Sequence, residues 1–189
     1  MASVRTAMEL AGKEDTLISL LERKEATEVA ALLSSMHVAR GELEAFIAGT
    51  PPEQLIRPRK DGWSIKDHLF HLAIWDRYLI AILERQPRLP AVGIDTDPLA
   101  MTDHANSIFQ ERGKNIPLNQ VLTLFRANRG RIIDLVQKLN DADLDRPIAE
   151  FQPNDPEAPH GTLRDWILPI TADHDRIHHQ WMKELLAVQ

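Results

Sequence analysis

Histidines four residues apart are the first chemistry this sequence offers. The segment TADHDRIHHQWM, from Thr171 to Met182, places three histidines within six residues, in a chain that has only eight. A helix turns by about 100 degrees per residue. That rotation puts His174 and His178 on one stripe with Leu163, Trp166, Ile167, Ile170, Ile177, Trp181 and Leu185, so both are expected to point into a core. His179 falls about 100 degrees away, toward the polar face and solvent. Side chains at i and i+4 are neighbours and can reach one ion. Two buried imidazoles without partners cost about 1–3 kcal/mol apiece, whereas one metal ion satisfies both. The plainer reading is a hydrogen-bonded core residue, the commoner fate of a single histidine on an apolar stripe.

A third nitrogen is available in GWSIKDHLFHLAIWDRYLIAILERQ. There the apolar arc comprises Ile65, Leu69, Leu72, Trp75, Leu79, Ile82 and Leu83; His68 lies within it and His71 at its edge, so geometry alone slightly favours His68. Neutral imidazole suits zinc, nickel, iron or copper, and three protein ligands with one open position is the arrangement of a catalytic zinc site.

Two further residues invite a chemical role. Arg129 falls on the stripe of Leu118, Val121, Leu122, Phe125, Ile132, Val136 and Leu139. A buried guanidinium needs an anion, which is either a substrate carboxylate or Asp76 on the apolar arc opposite. In HDRIH, Asp175 occupies the place of the glutamate of HExxH, but it is shorter and lies off the inward stripe, which disfavours a zincin-type general base. A ferritin-like di-iron centre needs inward carboxylates that the first and third long helices lack.

The elements that must position these residues are helices. Only 8 glycines are present, strand-like alternation is absent, and apolar residues recur at spacings of three and four. The pattern predicts long helices over about 26–48, from Ser64 to before Pro87, over 118–139, and from Thr162 almost to the end, with a shorter one over 99–112 and another within EDTLISLLERKE. Ser64 and Asp67 have capping-box spacing, and Pro169 is expected to kink the last helix or split off a short preceding piece. The expected fold is all-α, a four-helix bundle over 26–189 with an N-terminal helical extension over 1–25.

A length of 189 residues favours one domain over two, and 43% hydrophobic with 26% charged residues is ordinary for a globular chain. The net charge of −6 gives no footprint for nucleic acid, and no apolar run approaches a membrane span or a signal peptide's core, so the expected compartment is the cytoplasm. With no cysteine, any metal must be held by His, Asp, Glu or water.

The stretch WSIKDHLFHLAIWD resembles the W-S-x-x-E-x-x-x-H-L signature of the DinB-like superfamily of four-helix bundles. HANSIFQERGKNIPLNQVLTLFRANRGRIIDLVQKLNDADL is similar to its third-helix region, especially in the ClbS/DfsB-like branch, and HDRIH to its closing H-x-x-x-H. The resemblance covers residues 26–187. It implies an up-up-down-down bundle with His71, His174 and His178 as ligands of a divalent metal, zinc or nickel first and iron or manganese next. Asp67 stands where the family usually has Glu. The implied activity is metal-dependent transfer of a low-molecular-weight thiol, which must be a cosubstrate here, or hydrolysis of a small molecule. The alternative is metal-independent binding of a toxic small molecule for resistance. A homodimer is also implied.

Overall fold

The structure, a computed structural model, describes residues 27–59, 62–94 and 102–187, with the side chains of 102–104 left aside. The helix expected within EDTLISLLERKE and the extension over 1–25 lie outside the described residues. Helix α1 (Glu28–Gly49) starts where Thr27 Oγ1 accepts from the Ala30 N–H at 3.1 Å, and it stops at Gly49 before the Pro51–Pro52 pair. Helix α2 (Ile65–Leu83) opens with the expected capping box: Asp67 Oδ2 accepts from the Ser64 N–H at 2.8 Å, and Ser64 Oγ accepts from the Asp67 N–H at 3.2 Å. We expect Ser64→Ala to lower the unfolding free energy by about 1 kcal/mol, read as a reduced urea midpoint. An unchanged midpoint would show that the cap is dispensable.

Of the 19 residues of α2, 16 are buried, so this helix has neighbours on every side. It packs against α3 (Thr102–Lys114), α4 (Leu118–Val136) and α6 (His174–Ala187), with α5 (Leu163–Leu168) preceding α6. Lys66 ties α2 to the end of α3: its ammonium donates to the carbonyls of Gly113, Lys114 and Ile116 at 2.9, 2.8 and 3.0 Å. A cation at a helix C-terminus satisfies the carbonyls the last turn leaves open and complements the dipole. Met36, Leu43, Leu72, Leu79, Phe125, Ile132, Leu163, Ile167 and Met182 share one core. Among the described residues there is no strand, only an isolated bridge between Pro147 and Thr162, and the fold is all-α as expected.

The last helix departs from a continuous α-helix. Pro169 has no N–H to give the preceding turn, and the chain runs through a π-helical turn, Pro169–Asp173, before α6 resumes at His174. A π turn changes the angular phase of all that follows. Hence Ile177 and Trp181, expected in the core, are each 48% exposed, while Asp175, expected off the inward face, is 0% exposed. His174 and His178 still face inward, because they flank the new stripe through Thr171, Asp175 and Met182.

Candidate metal centre

Helix α2 contributes His68 and His71, and α6 contributes His174 and His178, at the place where the two helices meet. His71 Nε2 and His174 Nε2 lie 3.1 Å apart, and one ring nitrogen from each of His71, His174 and His178 lies within 4.8 Å of the others. Tetrahedral zinc with Zn–N bonds of about 2.0–2.1 Å holds its nitrogens about 3.4 Å from one another, so the first pair is at ligand spacing and the third ring needs a small shift. His68 joins the cluster differently. Its Nδ1 lies 2.8 Å from His178 Nδ1, a hydrogen bond that leaves His178 Nε2 as the nitrogen for an ion. Ligating histidines commonly engage their second nitrogen in this way. Sequence geometry slightly favours His68 and the family resemblance names His71; the structure brings both to the cluster, with His71 in the trio and His68 behind His178.

The donor chemistry fits a divalent ion. Burial holds His71 well below its ordinary value, reinforced by His174 and His68; burial lowers His174 to about 4; burial, then His71, His174 and His68, lower His178. All three are neutral at pH 7 and keep a lone pair for a metal. His71 Nδ1 and His174 Nδ1 are buried without a well-formed hydrogen bond, although the Ile170 backbone favours a protonated His174 ring. His179 stands apart, half-buried beside the Phe46 ring at 5.2 Å between centroids.

Beneath the histidines lies a closed charge network. Arg129 Nε and Nη2 donate to Asp76 at 3.1 and 2.8 Å, and Arg129 Nη1 donates to Asp175 Oδ2 at 2.7 Å. Arg40 donates from Nε and Nη2 to the two oxygens of Asp175 at 3.0 and 3.1 Å, and from Nη2 to Asp76 at 3.2 Å. The structure places Arg129, at 1% exposure, against Asp76 and Asp175, and Asp76 is the internal partner that the sequence offers beside a substrate carboxylate. Arg40 escaped the sequence reading, although it stands four residues after Met36 and three before Leu43, on the apolar stripe of α1.

Above the histidines opens a pocket of about 1480 Å³. All 4 tryptophans of the chain line it: Trp63, Trp75, Trp166 and Trp181. Trp63 lies 5.0 Å from His68 and Trp181 4.8 Å from His178, between ring centroids. The walls thus hold the rings in an apolar surround that strengthens electrostatic interactions at the cluster.

A profile of the DinB superfamily matches residues 20–182. The chain belongs to the DinB superfamily. A crystal structure of a Streptococcus pneumoniae protein superposes with a TM-score of 0.69 over 88% of this chain and 93% of that one, at 9% identity, and so shares the fold. No curated protein is detectably similar in sequence. Among the described residues of this DinB-superfamily bundle, no helix is long and apolar enough to cross a membrane.

Neutral buried histidines make the bundle's stability depend on pH. His174 has a folded-state value of about 4 against 6.5 in the unfolded chain, so between these values the unfolded state binds more protons and stability rises with pH. This contribution is fully present above 6.5 and is lost as pH falls toward 4. At about 1.4 kcal/mol per unit, His174 alone accounts for roughly 3 kcal/mol, and His71 and His178 shift in the same direction. Urea midpoints of metal-free protein should therefore drop steeply across this window, and less steeply in His174→Gln. A flat profile would mean that the rings are not buried in neutral form.

Proposed function

We propose that this DinB-superfamily chain is a metal-dependent enzyme acting on a small molecule, with His71, His174 and His178 holding a divalent ion, zinc or nickel in the first place. The observation that carries the reading is the cluster of three neutral imidazoles, His71 and His178 buried and His174 half-buried, at the floor of a tryptophan-lined pocket. Bound there, the ion would lower the pKa of a thiol or a water brought to its open position. The chain's own residues supply the rest: α2 and α6 fix the rings, His68 holds His178 by its Nδ1, and the aromatic walls exclude water from an apolar substrate. Thiol transfer is the favoured chemistry, with the thiol sulfur bonding to an electrophilic carbon whose leaving group departs with its electron pair. Hydrolysis is the other route.

Because the chain has no cysteine, any thiolate signal comes from the added thiol. Cobalt-loaded protein titrated with a small thiol such as mercaptoethanol should develop a thiolate-to-metal charge-transfer band. No band, with product formed from water alone, would replace transfer by hydrolysis.

One observation favours a second reading. The histidines can also pair with one another, at 3.1 Å for His71 with His174 and 2.8 Å for His68 with His178, which closes the cluster without an ion. In that case the chain binds a small molecule without metal, as a resistance protein of the ClbS/DfsB-like branch, and no product forms.

A further inference from the structure

Ahead of α2 the backbones of Arg59, Gly62 and Trp63 are tied to one another. The Arg59 N–H donates to the Trp63 carbonyl at 3.0 Å, and the Gly62 N–H to the Arg59 carbonyl at 2.9 Å. Gly62 has φ +84, which glycine adopts without strain. Its carbonyl accepts from Gln110 Nε2 on α3 at 3.0 Å, so Gly62 is pinned to that helix. Arg59 and Trp63 both line the histidine pocket.

Arg59 differs from the other arginines in contact with the core. Its Nε and Nη2 are shielded from solvent and have no hydrogen-bond partner. These two nitrogens form the edge of a guanidinium whose N–H bonds run parallel and match the two oxygens of a carboxylate. The same edge meets both oxygens of one carboxylate in Arg40 with Asp175 at 3.0 and 3.1 Å, in Arg129 with Asp76 at 3.1 and 2.8 Å, and in Arg126 with Glu44 at 3.0 and 2.9 Å. The acidic residues of the pocket are engaged elsewhere. Asp165 caps α5 by accepting from Thr162, and Glu184 accepts from Gln180. A second orphan lines the same pocket: Asn106 Oδ1 is buried and unpartnered. Asn106 stands four residues before Gln110, on the face of α3 that holds Gly62.

We propose that Arg59 anchors a carboxylate of the small molecule this pocket takes, and that Asn106 accepts a hydrogen bond from the same molecule. The ligand class is an apolar or aromatic carboxylate, its body lying along the tryptophans between Arg59 and the histidines. Because Nε and Nη2 are shielded from solvent, Arg59 must rotate its terminal torsions to meet the carboxylate. This deepens the enzyme reading by naming its substrate class, but the binding step needs no metal.

The test uses the full chain stripped of metal with chelator, near neutral pH. Phenylacetate, phenylpropionate and phenylbutyrate are titrated against their amides by tryptophan fluorescence and calorimetry. At least one carboxylate is expected to bind about tenfold or more tightly than its amide, the scale of a charge-assisted bidentate contact. Arg59→Gln is expected to bring the carboxylate down to the amide, Arg59→Lys to retain part of the preference because charge survives without the fork, and Arg57→Gln to leave it intact. Arg59 Nε and Nη2 have no hydrogen-bond partner among the described residues, so Arg59→Gln should fold and melt as the parent does. No carboxylate binding, no preference over the amide, or a preference that survives Arg59→Gln would each overturn the proposal. Zinc stoichiometry is measured on the same proteins. An Arg59-dependent preference in a chain that takes no zinc sinks the metal reading alone, and zinc bound without such a preference sinks only this one.

Discussion

Arg129→Met is expected to lower the unfolding free energy by about 3–5 kcal/mol, because it leaves buried carboxylates facing too little positive charge. Asp76 and Asp175 are both 0% exposed, and each is shared between Arg129 and Arg40. With Arg129 gone, Arg40 alone must answer two carboxylates. Burial already pushes the Asp175 carboxyl upward, against the pull of Arg40 and Arg129, so the variant takes up a proton or loosens. For a chain of this size the melting temperature should fall by roughly 10 °C. Adding Asp76→Leu to Arg129→Met should recover part of the loss, since the double change restores one cation to one anion. A single variant as stable as the parent would mean that water reaches the network and that it is not the floor of the site.

His71→Ala with His174→Ala should abolish metal binding while leaving the metal-free fold close to the parent. The two substitutions remove the pair of nitrogens at 3.1 Å and also relieve two buried Nδ1 atoms that have no well-formed partner. Elemental analysis of the parent should give about one zinc per chain, as three imidazoles and an open position require. Thermal melts should rise with added zinc only in the parent: a ligand at a thousandfold its dissociation constant stabilises by about 4 kcal/mol. If both proteins respond to zinc alike, the ion sits elsewhere. If neither responds, the histidines form a hydrogen-bonded cluster and the metal-free reading takes over.

Helical periodicity carried much of the fold and part of the site. His174, His178, Arg129 and Asp76 were readable as inward because each interrupts an apolar stripe, and a polar residue on such a stripe must find a partner. Arg40 obeys the same rule. Asp175, Ile177 and Trp181 were misplaced for one local reason: a rotation of about 100 degrees per residue was carried straight through Pro169–Asp173, where the chain is π-helical. Choosing between His68 and His71 needed the neighbouring helix, since both lie on the buried α2 and differ in which ring of α6 they meet. Arg59 was out of reach of periodicity altogether, because it lies outside any helix.

The turn at Pro169–Asp173 also bears on which changes of length this chain tolerates. Removing Pro169 itself would allow an unbroken α-helix from Leu163 to Ala187, with a more regular backbone than the present one. That regular helix would swing Asp175 away from Arg40 and Arg129 and carry His178 away from His68. Point substitutions at the exposed positions of α6 leave this phase untouched, whereas a single deletion resets it for every residue downstream. Sequences that keep both the buried aspartate and the paired histidines should therefore keep the number of residues between Leu163 and His174, even where the residues themselves differ.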